Sequence, residues 1–193
     1  MVLNKLDIIF LKQRILLIFI FCSYYNLSAQ EINWITLDQA LKAQENVPKK
    51  IVMDVYTVWC GPCKLMDKNT FTNPDLASYV NQNYYAVKFN AEGNEKISFY
   101  GNIFQNLNYD ESKKSRRNST HQFTQFLGVK GYPATIFLSE EGDLITPVIG
   151  YLNVHQMELY LKMIKQGDYQ VFSTPKDFEN YKKYFKPKFR KKG

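Results

Sequence analysis

An apolar, β-branched run, Ile51-Val52-Met53-Asp54-Val55-Tyr56, leads into Trp59-Cys60-Gly61-Pro62-Cys63-Lys64, and a helix-compatible segment follows. A strand that stops at a Cys-x-x-Cys, with a helix opening across the pair, leaves few architectures. The two thiols stand one helical turn apart, so they can close a small disulfide ring and open it again. The rest of the chain must hold that junction in place.

Reading outward, Thr36-Leu37-Asp38-Gln39 has capping-box spacing and predicts a short helix with Leu37, Ala40, Leu41 and Ala43 on one face, ending before Pro48. A strand covers 51–57. A helix runs from Cys63 towards Phe71, and Asn73-Pro74 starts another with Leu76, Ala77, Tyr79 and Val80 inward. Tyr84-Tyr85-Ala86-Val87-Lys88-Phe89-Asn90 alternates as a strand should. Residues 91–120 are the least regular; they read as a short helix near 95–105, then an exposed loop dense in Lys, Arg and Ser that carries a glycosylation triplet, Asn118-Ser119-Thr120. Thr120 is placed to cap a short helix through Phe123, Phe126 and Leu127, stopped by Gly128. Strands Ala134–Leu138 and Leu144–Ile149 flank the turn Glu140-Glu141-Gly142-Asp143. Asn153–Ile164 predicts a closing helix with Met157, Leu161 and Ile164 inward, and a last helix spans about Lys176 to Phe185. The order implies the α/β class, a central mixed β-sheet with helices on both faces.

The formal charge of +7 is unevenly placed: +2 belongs to residues 1–29 and +6 to 176–192, which leaves the body at −1. The basic character is thus a property of the tail and does not describe a nucleic-acid-binding face, so no nucleic-acid partner is expected. Lys12 and Arg14 precede the apolar run Ile15–Cys22, and a polar stretch ends at Leu27-Ser28-Ala29-Gln30. That is the layout of a signal peptide over 1–29, cut near Ala29, with an uncleaved anchor as the alternative. The expected location is therefore exported, periplasmic or secreted, where disulfide chemistry persists. Removal of Cys22 would leave Cys60 and Cys63 without another cysteine. The expected divisions are a main domain at 30–166, with 91–120 as an insertion, and a basic aromatic extension at 167–193. In that extension Phe172, Phe178, Tyr181, Tyr184, Phe185 and Phe189 interleave with Lys and Arg. The preferred reading packs these rings on the body with a solvated basic end; the sharper one is weak contact with an anionic membrane surface or an acidic partner.

A thiol near its ordinary pKa of ~8.5 is mostly protonated at neutral pH, and the thiolate is the attacking species. A helix N-terminus lowers that pKa, and Lys64 adds positive potential. Cys60, at the exposed end, is expected to attack. Cys63, one turn in and buried, is expected to resolve the mixed disulfide. Pro62 sits where a helix tolerates proline. Trp59 either shields one side of the site or joins the core. Asp54 lies inside an apolar run, where burial raises a carboxyl pKa and suits proton transfer near neutrality; the alternative is a strand-edge carboxylate in water. Zinc needs four ligands and the pair supplies two, while His121 and His155 lack companion spacing, so no metal is expected.

At this point the chain resembles the thioredoxin family, whose active-site motif is WCGPC. Asp54, six residues before Cys60, stands where the family carries a buried acid that moves a proton to and from the second cysteine. Lys88 matches the lysine beside that acid. Gly131-Tyr132-Pro133-Ala134-Thr135 matches the segment with the family's cis-proline. The resemblance covers roughly 34–165 and implies the thioredoxin fold, a cis Pro133 facing the disulfide, and substrate contacts through Trp59, Gly61, Pro62 and Tyr132. Phe71-Thr72-Asn73-Pro74 looks like periplasmic thioredoxin-like domains that relay electrons across a membrane, and their secreted relatives.

The resemblance implies an exported thiol–disulfide oxidoreductase that acts on protein thiols and disulfides. No cofactor is expected beyond the redox-active Cys60–Cys63 pair. Gly61-Pro62 favours a protein-disulfide reductase or electron relay, which would draw electrons from a membrane thiol reductase. The alternative is a thioredoxin-fold binding or chaperone module without turnover; joint retention of Cys60, Cys63, Asp54 and Pro133 argues against it.

Overall fold

The computed structural model describes residues 30–190, so the expected signal peptide and its cut near Ala29 lie outside the described residues. The chain forms β1 (Trp34–Ile35), α1 (Leu37–Gln44), β2 (Lys50–Tyr56), α2 (Gly61–Met66), α3 (Pro74–Asn83) and β3 (Tyr84–Asn90). It continues with β4 (Ile97–Phe99), β5 (Asn102–Phe104), α4 (Gln122–Phe126), β6 (Ala134–Leu138), β7 (Leu144–Ile149), α5 (Val154–Gln166) and α6 (Pro175–Tyr184). Five strands make one mixed sheet in the order β1-β3-β2-β6-β7. β3 runs parallel to β1 and β2, and β6 is antiparallel to both β2 and β7. This is the mixed, helix-flanked sheet that the resemblance implied.

Alternation along the central strands splits the core into two layers. Val52, Ala86 and Phe137 face one side and pack with α3, α5 and Met66. Ile51, Met53, Val55, Val87, Phe89 and Ile136 face the other and pack with α1, α4 and the β4–β5 hairpin. The capping box at Thr36 is present, with Gln39 reaching back to the Thr36 N–H. Asn73 caps α3 by accepting the Leu76 N–H at 3.0 Å. α2 runs on into a π-helical turn at Asp67–Phe71, so the segment after the cysteines is helical to Phe71 as expected.

Two local expectations are corrected. Residues 95–105 are a β-hairpin, not a helix. Ile97 and Phe99 are buried on either side of the exposed Ser98, a period of two that the short apolar stretch concealed. The Tyr100-Gly101 turn closes it with φ of 50° and 72°, the positive pair that a tight hairpin demands. Tyr100 tolerates this backbone while its hydroxyl donates to Asp143 Oδ1 at 2.7 Å. The second correction concerns α4, which is capped by His121 rather than Thr120: His121 Nδ1 accepts the Phe123 N–H at 3.0 Å. Its other ring nitrogen meets Glu95 O at 2.8 Å, and the ring is fully buried against Phe89. An imidazole with one accepting and one donating nitrogen fills this slot as the neutral form, and burial lowers its pKa.

The basic tail packs on the body. Phe172, Phe178 and Tyr181 lie against the α3–α5 layer, and Phe189 is buried in it. The Glu158 carboxylate, fully buried on α5, accepts the backbone N–H groups of Lys188 and Phe189 and pairs with Lys162. Arg190 forks onto Asp75 at 2.7 and 3.0 Å, and Asn73 Nδ2 donates to Arg190 O. Among the described residues no helix is long and apolar enough to cross a membrane.

Candidate active site

Cys60 occupies the N-cap of α2 in extended conformation, and its sulfur accepts the Cys63 N–H at 3.1 Å. The local sequence sets this up: Gly61 has open space around it and Pro62 falls in the first turn, where no N–H is missed. Cys60 and Cys63 are joined in a disulfide with Cα atoms 5.3 Å apart. The helix is anchored beneath by Met66, whose sulfur accepts the Leu152 N–H, and by Thr70, whose hydroxyl donates to Leu152 O at 2.7 Å. An N-cap sulfur that already accepts a backbone N–H is stabilised as an anion.

The expected contrast in exposure between the two cysteines does not hold. Cys60 is 2% and Cys63 4% exposed. What separates them is placement. Cys60 lines an open cleft of about 700 Å³ with Trp59, Gly61, Pro62, Gly131 and Tyr132, and Cys63 does not line it.

Behind the pair, register brings three polar side chains to one level of adjacent strands: Asp54 on β2 is paired with Lys88 on β3 and Thr135 on β6. They share the face of Val52, under α2, because side chains alternate along each strand. Asp54 is 2% exposed, as its apolar surroundings implied. Burial pushes its carboxyl from 3.8 up to about 7, opposed by the Lys88 ammonium and assisted by the charge of Asp67. Lys88 Nζ lies 3.6 Å from Asp54 Oδ2 and makes a closer bond to Asp67 Oδ1. It also lies over the Trp34 and Tyr56 rings at 5.3 and 5.4 Å. Asp54 Oδ1 and the hydroxyls of Thr57 and Thr135 are buried without a protein partner.

The Tyr132–Pro133 peptide is cis, as the resemblance implied. Pro133 is buried, and its carbonyl accepts the Gly150 N–H at 2.8 Å. Tyr132 meets Trp59 edge-on at 6.2 Å between ring centroids. Trp59 is half-buried and walls the cleft, and it is not among the residues packed on either core layer, so of its two expected placements it takes the one beside the site. Lys64 is exposed on the helix surface and forms no ion pair among the described residues.

Sequence reasoning missed Asp67, Thr135, Glu92 and Arg117. Glu92 is 6% exposed, and its Oε2 accepts the Trp59 indole N–H at 2.7 Å and the Asn118 N–H at 2.8 Å. The Arg117 guanidinium lies 4.2 Å over the Trp59 ring. One cue was available for Glu92: it follows the strand that carries Lys88 and therefore emerges at the same sheet end as the cysteines. Asn118, the acceptor of the glycosylation triplet, is engaged instead in structure: Oδ1 accepts the Asp110 N–H and Nδ2 donates to Asp110 O.

Comparisons with known proteins agree with this geometry. The model of the Thioredoxin-like domain family matches residues 37–165. The chain is 28% identical over 142 residues to the thiol:disulfide interchange protein DsbD of Haemophilus ducreyi, covering 72% of this chain and 20% of that protein. It is 23% identical to the protein of the same name from Photorhabdus laumondii, with the same coverage. The chain thus spans about a fifth of the length of these relatives. A thioredoxin-fold protein from Helicobacter pylori superposes with a TM-score of 0.55 at 17% identity, covering 84% of this chain and 93% of that one, a likeness of fold.

Proposed function

Since this chain belongs to the Thioredoxin-like domain family, we propose that it is an exported thiol–disulfide oxidoreductase acting on proteins, a reductase or electron relay. The observation that carries this reading is the asymmetry of the pair: Cys60 borders the cleft beside the cis-Pro segment, and Cys63 lies behind it. In the dithiol form the Cys60 thiolate attacks a substrate disulfide. A Cys60–substrate mixed disulfide forms, and one substrate thiolate leaves. Cys63 then gives its proton to the Asp54 carboxylate and attacks the Cys60 sulfur. The Cys60–Cys63 disulfide forms, and the second substrate thiolate leaves. Two electrons pass from the protein to the substrate, and the departing thiolates take up two protons. Asp54, held near neutrality by burial, both accepts and returns a proton in this range. Lys88 and Asp67 set how readily it does so, Lys64 contributes at most a screened potential, and Trp59, Gly61, Pro62 and Tyr132 hold the substrate segment.

Return to the dithiol needs an electron donor of the dithiol class, and a membrane thiol reductase fits an exported protein. The name of these relatives, thiol:disulfide interchange protein, supports the exchange chemistry. The test is insulin reduction with dithiothreitol as donor. Turnover that is lost in Cys60→Ser supports the proposal, and an inactive unaltered protein overturns it. Direction is read from the Cys60–Cys63 reduction potential: a strongly reducing value supports a reductase, and a high one an oxidase or isomerase.

A further inference from the structure

Arg117, Asn118 and Thr120 form one wall of the Cys60 cleft, and the loop 105–120 that carries them is braced. Asn106 Nδ2 donates to Gly93 O at 3.0 Å and to Ser119 O at 2.7 Å, and Ser119 Oγ donates to Asn106 Oδ1 at 2.7 Å. The Asn118–Asp110 bonds tie the two ends of the loop together. Glu92 Oε2 then couples the wall to Trp59 by accepting from both. Arg117, next to Asn118 on that wall, has its guanidinium carbon 4.2 Å from the centre of the Trp59 ring. A guanidinium has five N–H donors, so contact with a ring still leaves donors for a carboxylate.

The charges around this cleft are not balanced. Lys113 and Lys114 are matched by Asp110 and Glu111. Arg117 and Lys130, which line the cleft, have no ion pair among the described residues. They approach from two sides, Arg117 from the braced wall and Lys130 from the segment before Pro133. The one acidic member, Glu92, has an oxygen committed to two N–H donors.

We propose that this rim selects partner proteins that carry acidic residues beside their reactive cysteine. The proposal rests on the thiol–disulfide exchange reading above. A substrate strand lying along residues 130–132 places the side chains that flank its cysteine between Arg117 and Lys130. An Asp or Glu there meets free donors, and a Lys there meets like charge.

The experiment uses the full chain, dithiothreitol, and three disulfide peptides identical except for Glu, Ser or Lys on either side of the cysteine. At low salt kcat/KM should rank Glu above Ser above Lys, with roughly tenfold between the extremes, and the gap should close in high salt as screening shortens to a few ångströms. Arg117→Glu combined with Lys130→Glu should reverse the ranking. Equal turnover of the three peptides, or a ranking that survives the double substitution, overturns the proposal. If no peptide is turned over, the exchange reading falls and this one with it. If the double variant fails to fold, Arg117→Gln and Lys130→Gln tested singly decide the matter: each should narrow the low-salt gap between the Glu and Lys peptides, and an unchanged gap in both overturns the proposal.

Discussion

Lys88 Nζ stands 3.6 Å from Asp54 Oδ2, while Asp54 Oδ1 is buried with no partner at all. The pair is therefore half satisfied. Lys88 is drawn away by Asp67, and desolvation outweighs what attraction remains. A carboxyl raised from 3.8 to about 7 adds no penalty to folding below about pH 4 and an increasing one as pH climbs through about 7. Asp54→Asn should therefore be more stable than the unaltered protein near pH 8, by up to about 4 kcal/mol at ~1.4 kcal/mol per pH unit, with the gain vanishing near pH 4. Urea unfolding at both pH values measures this. A gain independent of pH would mean that the carboxyl is not raised.

The same substitution bears on rate. With the proton acceptor gone, resolution of the mixed disulfide by Cys63 should slow by about 10²-fold near pH 7, and the slowing should shrink as pH rises towards the thiol's own pKa. Stopped-flow tryptophan fluorescence over a pH series reads this step. A flat pH profile would remove Asp54 from the proton path.

Cys63→Ser should accumulate a covalent adduct between Cys60 and a substrate thiol, because attack proceeds and resolution cannot. Cys60→Ser should accumulate none. Intact mass spectrometry after incubation with an oxidised peptide distinguishes the two, and an adduct on Cys63 in the Cys60→Ser variant would reverse the assigned roles.

Glu92→Ala strands the Trp59 indole N–H and the Asn118 N–H, both of which end on one oxygen. Unfolding stability should fall by about 1–3 kcal/mol, and the Trp59 emission should shift to the red as water reaches it. A Trp34→Phe background isolates that signal, since these are the two tryptophans of the chain. Glu92→Gln keeps an acceptor oxygen and should lose less. An unshifted spectrum in Glu92→Ala would show that Trp59 does not depend on this bond.

Removing residues 188–193 should destabilise the domain by roughly 3–5 kcal/mol, because Glu158 is left with Lys162 alone in a fully buried position. Glu158→Ala in the shortened chain should recover part of the loss. If the shortened chain melts like the full one, the Glu158 clamp does not support the core.

Four of the five sheet strands, the helix order and the Cys60 junction are legible because each rests on local pattern: alternation over 84–90, the Thr36 capping box, and a Cys-x-x-Cys after a strand; the two-residue β1 is too short to show one. What escaped depends on elements distant in sequence. Asp67 matters because Lys88 arrives from β3, and Thr135 because β6 sets it opposite Asp54. Arg117 was legible only as one charge in a basic loop; its position over Trp59 is set by the Glu92 and Asn106 bonds. The 97–104 hairpin was misread for a different reason. Three-residue strands carry too few alternations to separate a period of two from one of 3.6.

The Glu158 clamp also sets an order of events during synthesis. A nascent chain that has reached α6 already contains every strand of the described residues, the Cys60–Cys63 pair and the Glu158 carboxylate, but not the backbone N–H groups that donate to it. Until residues 188 and 189 emerge, the buried Glu158 carboxylate has only Lys162 of its described partners, so this clamp closes after the sheet and the cysteine pair are complete.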